Sequence, residues 1–209
     1  MTDLDQKERY QKRKKRQREL SNLSDEDLIF LFQDGELPAF EEIVNRYKDP
    51  LMNFVFRFLG DKSESEDVVQ ETFLRVFRNK RAYKKIAKFS TWIYTIAGNL
   101  AKTELRKRKK RNLASVSDLG YDDKDFEISD ESSNPEKKTN TVMYEEIIQE
   151  EIGKLSAKFR EVIILRDIQE LSYEEISKII KVPLGTVKSR VNRARLRLQE
   201  KLRFLLEKK

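Results

Sequence analysis

The chain has 209 residues, 39% charged and 38% hydrophobic, with a net charge of +7 and a pI near 9.4. Cysteine and histidine are absent, which excludes disulfides, thiolate nucleophiles, Cys/His zinc sites and every triad built on an imidazole base. Six glycines and four prolines leave little material for hairpins, so small helical cores in one large or two small domains are expected, with a polyanionic partner.

In chain order, residues 1–20 open the sequence with the cationic run Lys12–Arg16 and little to bury. They read as a basic, disordered, solvated tail. The tail lacks the apolar segment of a signal peptide, and no run reaches transmembrane length, so a cytoplasmic protein is expected.

Residues 21–112 read as a helical domain. Ser24 and Asp27 resemble a capping box ahead of Leu28, Ile29, Leu31 and Phe32, and Phe40, Ile43, Val44 and Tyr47 continue a helical face. Pro50 fits the first turn of a following helix that buries Leu51, Phe54, Val55, Phe58 and Leu59 and ends at Gly60. Ser63 and Glu66 form a second capping box, followed by Val68, Val69, Phe73, Val76 and Phe77. A last helix begins near Ser90 and ends in the run Arg106–Arg111. Its segment FSTWIYTIAGNLAKTELRKRKKR (Phe89–Arg111) joins aromatic rings to cations, with Tyr83 just upstream. Single-stranded nucleic acid is held by that combination, through stacking and phosphate contacts. Trp92 also fits a core position.

Residues 113–139 crowd Asp118, Asp122, Asp123, Asp125, Glu127, Asp130, Glu131 and Glu136 among Ser, Asn and Pro135. They read as a flexible acidic linker. Residues 140–209 then resume the helical period and lead into LSYEEISKIIKVPLGTVKSRVNRARLRL (Leu171–Leu198). Ser172 and Glu175 form a capping box, Pro183 and Gly185 break the helix, and Val187, Val191, Ala194 and Leu198 give the next helix its apolar stripe. Lys188, Arg190, Arg193, Arg195 and Arg197 project from the rest of that helix. This is the pattern of a helix-turn-helix whose second helix enters the major groove of DNA.

The segments DVVQETFLRVFRN (Asp67–Asn79) and FSTWIYTIAGN (Phe89–Asn99), the basic run, the linker and the helix-turn-helix together resemble an extracytoplasmic-function (ECF) sigma factor of bacterial RNA polymerase. The resemblance covers Leu23 to Leu205. It implies an all-α protein of two small helical domains, sigma region 2 and sigma region 4, joined by the acidic linker. It implies a non-enzymatic role, in which the chain binds core polymerase, recognises the minus-ten and minus-thirty-five promoter elements and promotes melting.

By position, the resemblance implies that Asp67, Gln70, Glu71 and Arg75 meet the clamp helices of the largest polymerase subunit. Tyr83, Phe89, Trp92, Asn99, Lys102, Arg106, Lys107, Arg108 and Lys109 would hold the opened minus-ten strand. Lys188, Ser189, Arg190, Asn192, Arg193 and Arg195 would contact the minus-thirty-five duplex. An anti-sigma factor is the further partner implied, and no cofactor or metal is expected. Two positions depart from the family's habit: Gly98 where Arg is frequent, and Thr103 where an acid is common. The promoter elements lie on the order of 55 Å apart, so the two domains are expected to tumble independently until polymerase holds them. A stand-alone dimeric helix-turn-helix regulator would account for residues 140–209 alone. A metal-dependent nuclease using Glu64, Glu66, Asp67 and Glu71 is a remoter reading, since acids at a helix start usually offset its dipole.

Overall fold

A computed structural model of the chain describes residue 11 and residues 14–117 and 140–206. All regular structure among the described residues is helical. Helix α1 (residues 14–21) corrects the expectation of a disordered tail for its residues. Its Leu20 is buried, and Arg16 forks onto Glu36 at 2.7 and 2.8 Å. The last carbonyls of a helix lack partners within it. Arg46 supplies them here, donating to the carbonyls of Leu20 and Ser21 and to that of Leu23 just beyond (3.3, 2.9 and 2.9 Å). It also pairs with Asp25 at 2.7 Å and Glu42 at 3.0 Å. Like charges along the sequence therefore disguised a helix whose anchors come from elsewhere.

Helix α2 (Asp25–Gln33) starts at Ser24, whose hydroxyl accepts from the Asp27 N–H as its spacing predicts. Helix α3 (Leu37–Leu59) runs straight through Pro50, where the sequence suggested a new start. Tyr47, Leu51, Phe54 and Val55 are buried on both sides of the proline, so tertiary packing outweighs the missing N–H. Gly60, at φ +75°, ends α3 in the left-handed region that glycine enters without strain. Helix α4 (Lys62–Arg78) is capped by Asp61, whose carboxylate accepts from the Glu64 N–H at 2.7 Å, two residues before the predicted Ser63 cap. Helix α5 (Phe89–Ser117) carries five residues beyond the predicted domain boundary at 112. Its first N–H is capped from outside, by Glu26 of α2 at 2.8 Å. The acidic segment 118–139 lies outside the described residues.

The second unit comprises α6 (Asn140–Lys154), α7 (Ala157–Ile163) with a π-helical turn at Ile164–Ile168, α8 (Tyr173–Ile180) and α9 (Leu184–Leu206). The capping box at Ser172 and Glu175 forms reciprocally, and α8 ends at Lys181 in the left-handed conformation before Pro183 opens α9. Ile176, Ile179, Val187, Val191 and Ala194 close the small core. The helix-turn-helix read from the sequence is therefore present at the predicted residues.

The two units are packed on each other in this structure, where the sequence led to an expectation of two separate domains. Helix α5 lies against α8, and α3 against α6, α7 and the π-turn. The carbonyls that end α3 explain part of this. Arg57 O accepts from Gln149 at 3.2 Å, Phe58 O from Arg160 at 2.7 Å, and Leu59 O from Arg108 at 3.1 Å. Two of those three donors belong to the second unit. Tyr94 adds a hydrogen bond to Gln169 at 2.6 Å.

Replacing Arg46 by Ala should lower the unfolding free energy by about 2–3 kcal/mol and speed amide exchange across residues 14–21; denaturant titration and hydrogen exchange would reveal whether α1 stays docked instead. A second prediction concerns Glu175. Burial pushes its carboxyl up, but the ammonium of Lys88 at 2.8 Å and the Ser172 N–H and hydroxyl outweigh that and hold it at about 2. A carboxyl held below its ordinary value of 4.5 stabilises the fold above that pH and loses the contribution as pH falls towards 2. The Tm difference between wild type and Glu175→Gln should therefore be full at about pH 6 and shrink on acidification; a difference that stays constant would show that the Lys88 pair contributes nothing.

Candidate nucleic-acid interface

Helix α9 buries Val187, Val191 and Ala194 and so turns the intervening residues outward. Lys188, Ser189, Asn192 and Arg193 are all exposed, at the positions the motif predicts. Lys158 of α7 joins Gly185, Thr186, Ser189, Arg190 and Arg193 around a shallow hollow beside the start of α9. Nothing in the spacing of the sequence could have placed Lys158 there, because α7 reaches α9 only through tertiary packing. Two predicted contacts are differently placed. Arg190 is half-buried and feels the carboxylate of Glu161. Arg195 is forked onto Asp167 of the π-turn at 2.9 and 2.5 Å, and that carboxylate raises its pKa further. Arg197 lies over the Phe159 ring, and Arg166 over that of Tyr173. Arg195 and Arg197 of α9 are thus committed to the fold, and Lys188 lies 5.9 Å from the Tyr173 ring centroid.

The aromatic constellation of the first unit divides in the same way. Tyr83 and Phe89 are buried, contrary to the sequence-based expectation of open stacking platforms, although Tyr83 still lines the hollow beside Trp92. They form a cluster with Trp92, Phe30 and Tyr47 at centroid separations of 5.4–5.9 Å. The physical reason is that tilted and edge-to-face packing of large rings buries extensive apolar area at this end of α5. Trp92 is half-buried and forms the rim of a hollow with Ala82, Lys84, Ile86, Thr91 and Thr95. Ile86 is 84% exposed there, an apolar residue missed in the sequence because a lone Ile in a lysine-rich loop carries no period. The loop itself is fixed, by Gln33 donating to the carbonyls of Lys80 and Tyr83 and by the Tyr83 hydroxyl donating to Ala87 O.

Along α5, Asn99, Arg106, Lys107 and Lys109 are exposed, and Asn99, Thr103, Arg106 and Lys110 follow one another at three- and four-residue intervals. Lys107 pairs with Glu104 at 3.0 Å. Arg108 turns inward to Leu59 O and to Glu64 at 2.5 Å, so it is not a cation offered to a strand. Lys102 faces Glu161 of α7 at 3.1 Å.

Helix α4 presents a third surface. Asp67, Gln70 and Arg75 are exposed, Glu71 is half-buried, and it pairs with Arg75 at 2.9 Å. Leu74 and Phe77 each remain 44% exposed on the same helix. Phe77 was assigned to the core, and one side of its ring does pack on Phe32 and Phe40; Leu74 was not singled out. Three of the four acids considered for metal chemistry are engaged otherwise: Glu64 with Arg108 and Arg111, Glu66 with Lys62 and Glu71 with Arg75. Among the described residues no group of three acids has the geometry of a metal site, and no helix is long and apolar enough to cross a membrane.

Comparison with known proteins finds a match for each of the two helical units. Residues 43–111 match the Sigma-70 region 2 family and residues 145–198 match the Sigma-70 region 4 family. The ECF RNA polymerase sigma factor SigW of Bacillus subtilis is 38% identical over 173 residues, which span 82% of this chain and 92% of SigW. The RNA polymerase sigma-H factor of Pseudomonas aeruginosa is 32% identical over 191 residues, 90% of this chain and 98% of that protein. The solved structure of the sigma factor RpoE of Bartonella quintana, in complex with the anti-sigma factor NepR, aligns with a TM-score of 0.62 at 26% identity, covering 80% of this chain and 98% of RpoE. With both sigma regions matched in order, and relatives similar over nearly their whole length, the chain belongs to the ECF sigma factors.

Proposed function

We propose that this sigma factor divides promoter recognition between its two units. Lys188, Ser189, Asn192 and Arg193 read the minus-thirty-five duplex from α9, with Arg190 at the edge of the same face. The hollow formed by Trp92 and Ile86 takes a base of the opened minus-ten strand, while Asn99, Arg106, Lys107 and Lys109 follow its phosphates along α5. Asp67, Gln70 and Arg75, with Leu74 between them, meet core polymerase. The chain forms and breaks no covalent bond; binding energy holds unpaired bases, whose unstacking costs a few kcal/mol each, and polymerase does the chemistry. An anti-sigma factor is a further partner, by analogy with the complex in which RpoE was solved.

The observation that carries this reading is the coexistence of two separate cationic surfaces. A duplex-reading helix alone would fit any helix-turn-helix regulator, but α5, on the other unit, both lines an aromatic hollow near its start and carries exposed cations towards its end. Such a pair suits one duplex site and one single-stranded site on the same DNA.

Arg193→Ala should weaken minus-thirty-five recognition by about 1–3 kcal/mol while leaving core polymerase binding intact. Arg75→Glu should do the reverse. Both variants should initiate transcription poorly with core polymerase, each for its own reason; loss of both binding activities together, or of neither, would contradict the division.

A further inference from the structure

We infer that Lys158 of α7, with Thr186 and Arg190 of α9, seats one backbone phosphate of the minus-thirty-five duplex, and that Lys158 thereby sets how α9 enters the groove. This rests on α9 being the duplex-reading helix. The major groove is about 12 Å wide and is filled by a single helix. A side chain that reaches the same place from a neighbouring helix therefore faces the wall of the groove, which is phosphate, rather than its floor of base edges. Lys158 is such a side chain. It comes from outside the α8–α9 pair and lines the shallow hollow with Thr186, Ser189, Arg190 and Arg193 along one flank of α9.

The two flanks of α9 differ in charge. On the side of α8 and the π-turn, Arg195 is held by Asp167, and Arg166 and Lys188 lie over the ring of Tyr173. On the side of α7, Lys158 is exposed and forms no ion pair among the described residues. Arg190, half-buried in the same hollow, feels the carboxylate of Glu161, whose own charge is answered by Lys102 at 3.1 Å. A concave site with cations from two helices and a hydroxyl beside them suits a compact anion that accepts several hydrogen bonds at once, as a phosphate group does.

Phe159 holds the lysine in place. Its buried ring has the Lys158 ammonium 5.3 Å from its centroid and the Arg197 guanidinium at 4.6 Å, so one ring joins a cation of α7 to one of α9. A lysine already resting on a ring gives up less rotamer freedom when it meets a phosphate than one moving freely in solvent. Because α7 packs directly on α9, the fold fixes the distance from the seat to the outward residues Ser189 and Asn192. A phosphate contact carries no sequence information but sets register and orientation. Lys158 is accordingly a positioning residue, which acts on the bases through the placement of α9.

Free inorganic phosphate offers the same chemistry, so both sources enter the experiment. Holoenzyme assembled with the full-length protein is bound to a promoter fragment selected from a library, with single methylphosphonate linkages, each removing one backbone charge, scanned across both strands of the minus-thirty-five element. We expect one linkage at which wild type loses affinity severalfold and Lys158→Gln, already weaker, loses nothing more. Lys158→Gln should weaken different promoters by a similar factor and lower the log–log salt slope by about 0.9, the mark of one phosphate contact; Lys158→Arg should restore both. An unchanged slope, or a methylphosphonate profile identical to that of wild type, would overturn the seat. Inorganic phosphate that weakens wild-type binding but not Lys158→Gln at constant ionic strength, with identical methylphosphonate profiles, would assign the hollow to a free anion and overturn it as well. If Arg193→Ala also leaves promoter binding unchanged, the duplex reading of α9 fails together with the seat; if Arg193→Ala still weakens it, the seat alone fails.

Discussion

The C-terminal end of α3 is the point on which the rest of the structure depends. A helix ends with carbonyls that have no partner within it, and leaving them buried without donors costs about 1–3 kcal/mol each. Gly60 turns the chain away in the left-handed conformation, and three donors converge on the exposed carbonyls: Arg108 from α5, Gln149 from α6 and Arg160 from α7. One requirement of backbone chemistry thus ties α5 to the end of α3 and also draws the second unit onto the first. Phe58 in the last turn and Phe54 one turn before it, both buried, give the junction its apolar floor, with Tyr94 edge-on against Phe54.

Charge follows from this arrangement. The sequence carries 44 Lys and Arg against 37 Asp and Glu, a modest excess for a DNA-binding chain. Its effect is concentrated because many cations are spent internally. Arg16, Arg46, Arg108, Arg160 and Arg195 hold the fold through carboxylates or carbonyls. Exposed cations remain along one edge of α5 and on the outer face of α9. Arginine suits the internal role because its planar fork satisfies two acceptors at once, whereas the lysines among the exposed cations act as mobile point charges.

How much of this was legible in the sequence depended on how local the cause was. The Ser172–Glu175 capping box, the break at Pro183, the apolar stripe of α9 and the Gly60 stop are set by residues within one or two turns, and all stand where the pattern placed them. The start of α4 was placed two residues late because Asp61 and Ser63 are both credible caps, and only the backbone decides between them. Pro50 within α3 and the helical α1 were missed because distant packing and the guanidinium of Arg46 override local preference. At the candidate site, Lys188, Ser189, Asn192 and Arg193 are exposed on the predicted face, whereas Tyr83 and Phe89 were read as stacking platforms and prove to be core. An aromatic residue near cations looks the same in sequence whether it faces a base or another ring. Glu161, buried beside Lys102 and unremarked in the sequence, becomes visible only when the two units meet.

The central claim is that two distinct DNA surfaces act together in promoter opening. Transcription by bacterial core polymerase on a promoter library, with and without this protein, combined with permanganate footprinting of unpaired thymines, tests it most directly. Initiation that depends on the protein, with permanganate reactivity confined to a minus-ten region at fixed spacing from a protected duplex element, is the predicted result. Sequence-specific duplex binding without polymerase-dependent opening would contradict it, leaving the exposed cations of α5 and the hollow at Trp92 without a role.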